Sequence, residues 1–144
     1  MRIAPLAVAA CLLLVAACSR TDPDRAALEK QLVETLSGAT LTGRFTIGDK
    51  TGLTEERYEI RSVSKLAGDT WLFTARVKYG SRDVTAPIPI TVKWAGDTPV
   101  LTLTDLAIPG LGTYTARVVI YRGQYGGTWQ GGKTGGHLFG RLTK

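Results

Sequence analysis

From Thr40 onward the chain alternates apolar and polar residues with a period of two, the pattern of strands that show one face to a core and the other to water. In Trp71–Tyr79, the clearest segment, Trp71, Phe73, Ala75, Val77 and Tyr79 share one face, while Thr74, Arg76 and Lys78 lie on the other. The next segment places Val84, Ala86, Ile88, Ile90, Val92 and Trp94 together and puts Pro87 and Pro89 on the opposite face. Proline donates no backbone hydrogen bond, so this pair predicts an edge, a bulge or a seam. Further strands are expected over Thr40–Ile47, Glu55–Leu66, Val100–Leu106, Thr113–Tyr121, Tyr125–Gln130 and His137–Leu142. Within Glu55–Leu66 the apolar phase changes between Ile60 and Val63, which predicts a β-bulge.

The period is different before Gly38. Leu28, Leu32 and Leu36 recur every four residues, an apolar stripe on a helix expected over about Pro23 to Ser37. Asp22 fits the cap, Pro23 the first helical position and Gly38 the stop. Such a helix would cover one end or edge of a sheet. Lys65-Leu66-Ala67-Gly68-Asp69-Thr70 returns 28 residues later as Lys93-Trp94-Ala95-Gly96-Asp97-Thr98. Two strands separate the copies, so both turns fall at one end of an up-and-down sheet, and Gly and Asp supply hairpin chemistry. The expected fold is all-β and mainly antiparallel: a meander of about eight strands closed into a β-barrel, with one short N-terminal helix. A β-sandwich or an open curved sheet is the alternative.

The N-terminus adds a location. Arg2 precedes an apolar run from Ile3 to Val15, then Ala16, Ala17 and Cys18. The run is shorter than the ~20 residues that span a bilayer. A charged start, an apolar stretch and small residues before a cut mark an export signal. With cysteine at the cut, the segment resembles a bacterial lipoprotein signal. That resemblance implies cleavage between Ala17 and Cys18, lipidation of Cys18 and a membrane partner held through that lipid. In a diderm, Ser19 after the cysteine implies the periplasmic face of the outer membrane. The resulting organisation is a signal peptide at 1–17, a lipidated linker at 18–21, the helix at 22–38 and the barrel at 39–144. Cys11 leaves with the signal and Cys18 carries lipid, so the mature domain has no disulfide and is held by packing alone. Loss of Arg2 lowers the formal charge from +6 to +5. The basic residues are scattered without a run, which argues against nucleic acid as a partner.

Few residues suggest chemistry. Gly127-Thr128-Trp129-Gln130-Gly131-Gly132-Lys133-Thr134 has the spacing of a phosphate-binding loop. Gly135 and Gly136 follow it and the helix that the motif needs has no room, so Gly131–Gly136 reads as a hairpin tip. His137 is the only histidine and lacks partners for a zinc site. Catalysis would require it to meet an acid such as Asp105 inside a pocket. Glu55 and Glu56 are adjacent, so on a strand they face opposite sides and form no catalytic pair. No enzyme activity and no cofactor are read from the chain. The aromatic residues Trp71, Phe73, Tyr79, Trp94 and Tyr114 are the better lead: they either fill a core or line a pocket for an apolar or amphipathic molecule. Ala75, Ala86, Ala116 and Gly127 are the small residues opposite them.

Trp94-Ala95-Gly96-Asp97-Thr98-Pro99-Val100, Leu103-Thr104-Asp105-Leu106, Ile108-Pro109-Gly110-Leu111-Gly112, Gly127-Thr128-Trp129 and Gly135-Gly136-His137 together resemble a family of small exported bacterial proteins and lipoproteins with no assigned activity. The resemblance spans most of the chain from about Leu41 and brings no catalytic residues. In architecture alone the meander is similar to lipocalin-type barrels, which implies no ligand. Two roles follow as expectations: a small apolar ligand inside the barrel, or an envelope protein partner docked on a barrel whose core is filled.

Overall fold

The computed structural model describes residues 24–144. Ala17, Cys18, the 18–21 linker, Asp22 and Pro23 lie outside the described residues. Helix α1 is Arg25–Leu36. Its cap is Asp24 rather than the expected Asp22: an Asp24 carboxylate oxygen accepts from the Ala26 amide at 3.0 Å, and the Asp24 carbonyl accepts from Leu28. The helix ends as expected, with Gly38 at φ 77°.

Eight strands follow: β1 Thr40–Phe45, β2 Thr54–Ala67, β3 Thr70–Tyr79, β4 Arg82–Ala95, β5 Thr98–Ile108, β6 Gly112–Tyr121, β7 Gln124–Gly131 and β8 Thr134–Thr143. Each pairs antiparallel with the next, and β8 returns to β1, so the sheet is a closed barrel in meander order rather than a sandwich. Two-residue turns starting at Gly68, Gly80, Gly96 and Gly132 join four of the hairpins, each glycine at positive φ, as the right-handed strand twist favours. The Gly68 and Gly96 turns stand at the same end, where Lys93 donates to Asp69 at 2.5 Å.

The phase change in β2 is a register shift between Ile60 and Ser62 against β3. On the opposite edge of β2, backbone groups tie the segment after the helix to the strand. The Ile60 carbonyl accepts from Gly38, the Ile60 amide donates to Ala39, and the Val63 amide donates to Ser37 Oγ. With Leu28, Leu32 and Leu36 buried, α1 plugs the barrel end that carries the Gly68 and Gly96 turns. There the Arg25 guanidinium lies 5.2 Å from the Trp94 ring. Among the described residues, α1 and the eight strands together close and fill the barrel.

The two prolines of β4 mark a seam. Pairing between β4 and β5 covers only Thr91–Ala95 against Thr98–Thr102, while β4 pairs with β3 from Arg82 to Thr91. The Val92 amide donates to Asp69 on the β3 side, whereas the Thr91 carbonyl faces β5 and accepts from Thr102 Oγ1. Backbone groups alternate sides along a strand, so Pro87 and Pro89 turn their missing donors toward β5, where β4 has no partner. The facing stretch of β5 is irregular as well. Its register shifts between Leu103 and Leu106, and Asp105 adopts φ 48°. A second bulge, absent from the sequence expectation, thus lies opposite the prolines.

Outside, the wall is polar. Arg76 grips Asp83 through two bonds of 2.8 and 2.7 Å, and Arg57 donates to Glu59 at 2.9 Å. Apolar faces inward and charged faces outward are the reverse of a lipid-facing barrel.

Candidate functional site: a cavity with one buried carboxylate

The barrel interior holds a cavity of about 650 Å³. It is bounded by Ile60, Phe73, Ile90, Leu101 and Val118 toward the plugged end, and by Gly80, Thr113, Gly132 and Thr134 at the other rim. Rim residues at this far end line it and no helix residue does, so α1 seals one end and the mouth lies opposite. The size suits a small organic molecule.

Apolar side chains make up nearly all of the lining. Beside a few threonine and tyrosine hydroxyls stands Glu56, 4 % exposed and the one buried charged residue among the described residues. Tyr58 donates to Glu56 Oε2 at 2.6 Å and Tyr125 to Oε1 at 2.9 Å. Tyr58 shares the inner face of β2 with Glu56, two residues away. Tyr125 comes from β7, and the register explains its reach. Tyr125 pairs with Gly140 on β8, Gly140 with Gly43 on β1, and Gly43 with Glu56 on β2. A side chain at either glycine would occupy the path of the tyrosine. A Cβ on Gly140 would stand 2.6 Å from Tyr125 Cε1, and one on Gly43 would collide with the Tyr125 hydroxyl and the Phe139 carbonyl. The two glycines therefore clear a groove across the inner wall, and the Tyr125 ring spans it.

Desolvation is the largest influence on Glu56 and pushes its carboxyl above the ordinary range, while the two tyrosine hydrogen bonds oppose it. Burial, and then the Glu56 charge, push the Tyr58 and Tyr125 hydroxyls up as well. Nearer the mouth, the Tyr79 and Tyr114 hydroxyls lie 2.8 Å apart, and Tyr114 donates to the Leu111 carbonyl at 3.1 Å. Burial, with the Tyr114 hydrogen bond next, raises Tyr79 to about 12. Phe45 packs edge-on against Tyr79 and Trp129, with ring centroids 6.0 and 5.7 Å away, and Trp129 Nε1 donates to the Thr46 carbonyl at 3.0 Å.

Of the aromatic residues singled out in the sequence, Phe73, Tyr79 and Tyr114 line the cavity. Trp71 is buried in the core beneath Lys65, and Trp94 lies under α1, outside the cavity lining. Of the small residues, Ala75 and Ala116 line it. Ala86 is core, and Gly127 permits β6 and β7 to approach, since a Cβ there would strike the Arg117 carbonyl. Gly131–Gly136 is a hairpin tip with strands on both sides, not a phosphate loop. His137 is exposed and Asp105 sits on the outer β5 bulge, so the two do not meet in the cavity. Glu55 faces solvent while Glu56 faces inward, as adjacency on a strand requires. Sequence reasoning missed Tyr58, Tyr125, Phe45 and Trp129, and passed over Glu56. A signal existed for Glu56: it holds the inner phase that runs through Tyr58 to Ile60.

Comparison with family models, with curated proteins and with solved structures gave no match to the chain.

Proposed function

We propose that this protein is a bacterial cell-envelope lipoprotein, exported by the signal at 1–17 and anchored through lipid on Cys18, whose lipocalin-like barrel binds a small apolar or amphipathic molecule. The observation that carries the binding role is the largely apolar cavity of about 650 Å³, open at one end and holding one buried carboxylate among the described residues. Packed interiors leave few voids larger than a water molecule, so an apolar space of this size forgoes contacts that a ligand would restore. The resemblance to small exported proteins and the polar outer wall support a globular domain that stands beside a membrane. Native mass spectrometry of the domain isolated from its own host's envelope tests the role. A defined extra mass that leaves on denaturation is the expected result, and a bare polypeptide mass counts against it.

A second reading, docking of an envelope protein, draws on the outer face of β6–β8. Val119, Tyr121 and Phe139 are exposed there, and Gly126 pairs with both Val119 and Phe139, leaving a gap between them. That reading expects a filled interior, and the cavity weighs against it.

A further inference from the structure

We propose that the molecule held in the barrel carries a protonated amine on an apolar body, with the Glu56 carboxylate pairing with the ammonium group and the site rejecting fatty carboxylates. This rests on the ligand-binding reading above and names the ligand's class.

Among the described residues the cavity lining contains no lysine, arginine or histidine, and its one charged side chain is Glu56. A buried carboxylate is stable only when paired or well hydrogen-bonded. Tyr58 and Tyr125 each serve one oxygen, but both are neutral and leave lone pairs on a carboxylate that offers about four. Titratable side chains reach Glu56 from three strands: Tyr58 on its own strand, Tyr125 on β7, and Tyr79, its cross-strand neighbour on β3. None brings positive charge, so the missing counter-charge has to arrive with the ligand. The walls above the carboxylate favour the same sign. Phe45, Tyr79, Tyr114 and Trp129 line the mouth half, and aromatic faces attract cations. A fatty carboxylate would bring a second negative charge beside Glu56 with no guanidinium to receive it. The field of the whole chain acts in the opposite direction. With a formal +6 in the full sequence, its outer surface attracts anions, so a preference for amines cannot arise from surface charge.

The test uses the full chain and a matched series of dodecylamine, dodecanol and dodecanoate below their aggregation limits. Binding is followed by tryptophan fluorescence, since Trp129 lines the cavity, and by calorimetry. The amine is expected to bind about tenfold or more tighter than the alcohol, as a charge-assisted bond exceeds a neutral one, and the carboxylate weakest of the three. Glu56→Gln should bring the amine down to the level of the alcohol in the same variant. A measurement on the unaltered chain guards against a variant that folds poorly: amine affinity should fall as pH drops and Glu56 takes up a proton, while alcohol affinity stays flat. Equal binding of all three, tighter carboxylate binding, or an amine preference indifferent to both Glu56→Gln and pH would overturn the amine inference and leave a general apolar site. Failure of all three to bind would instead overturn the ligand-binding reading itself.

Discussion

Between β8 and β1 the barrel wall is paired along the whole of β1, whereas on the opposite side, between β4 and β5, pairing stops at Thr91 and Thr102. The two stretches differ in what their special residues lack. Gly43 and Gly140 lack a side chain, and the space they leave lets Tyr125 cross two strands to a carboxylate on a third. Pro87 and Pro89 lack an amide hydrogen, and the side of β4 they leave bare is the side without a partner. One wall is complete in its backbone and reserves its inner surface for a polar site. The other spends no donors on a ladder that does not form there. In a barrel, then, an omission can specify as much as a contact. Glycine omissions build the site, and proline omissions keep the open part of the wall from demanding a strand.

The sharpest way to break the complete wall is to fill its groove. Gly43→Ala places a methyl against the Phe139 carbonyl and the Tyr125 hydroxyl, and one of the two colliding groups is backbone that cannot swing away. Overpacking of this kind costs about 1–3 kcal/mol and at times more. We expect Gly43→Ala to lie at or above the top of that range by urea unfolding, with Gly140→Ala close behind, because its Cβ would also meet the Thr42 carbonyl. A midpoint unchanged from wild type would show that the groove is not tight and that Tyr125 reaches Glu56 by another route.

A smaller effect should follow from Tyr125→Phe, which keeps the ring and removes one donor. Hydrogen bonds to charged groups contribute about 1.5–3 kcal/mol, and loss of this one should also push the Glu56 carboxyl further up, since the bond holds it down. The sign with pH follows. A carboxyl whose folded value is raised contributes stability that is fully present below its ordinary range and is lost as pH rises through the raised value. The exposed Asp69, Asp83 and Glu59 carboxyls are held low by hydrogen bonds from Lys93, Arg76 and Arg57, and their contribution is lost instead as pH falls. The difference in unfolding midpoint between wild type and Tyr125→Phe cancels those common terms. It should widen between acid and neutral pH as Glu56 ionises in the variant without its second donor. A difference constant with pH would mean that Tyr125 packs against Glu56 without supporting its charge.

The unequal legibility of the two walls has a physical cause. Strand alternation, the paired Gly-Asp turns and the phase change after Ile60 are local, and they predicted the meander, its hairpins and the β2 bulge. The prolines are local too, so the seam could be expected from β4 alone. The polar site is not local. Tyr125 and Glu56 lie 69 residues apart, and they meet only because three registers align them across two glycines. Nothing near Tyr125 says that its ring will lie across a groove rather than in a packed core. The helix cap moved from Asp22 to Asp24 because two acids flank Pro23, and only the backbone decides which one meets the free amides. The β5 bulge at Thr104–Asp105 did leave a local trace, a phase change between Leu103 and Leu106 like the one in β2, and the sequence expectation passed over it.

The smallest expected effect tests the seam. Pro89→Thr restores an amide hydrogen on the β5 side of β4, next to the last paired position at Thr91. If the seam is as open in solution as it is in the structure, the new donor finds water and contributes no ladder bond. What remains is the greater freedom of the unfolded chain once proline is gone, a loss of about 0.4–1 kcal/mol. The same substitution at a position whose donor found a strand would gain a net bond of about 1 kcal/mol and cancel that loss or reverse it. The sign of the midpoint shift therefore reports whether β5 is there to accept. A slight loss, with the protein still monomeric by light scattering, keeps the two walls distinct. A gain with the protein monomeric would mean that the seam zips shut and that the prolines alone held it apart. A gain with self-association would mean that the bare edge, once given a donor, recruits a strand from a second copy, which is the hazard that prolines on an unpaired edge suppress.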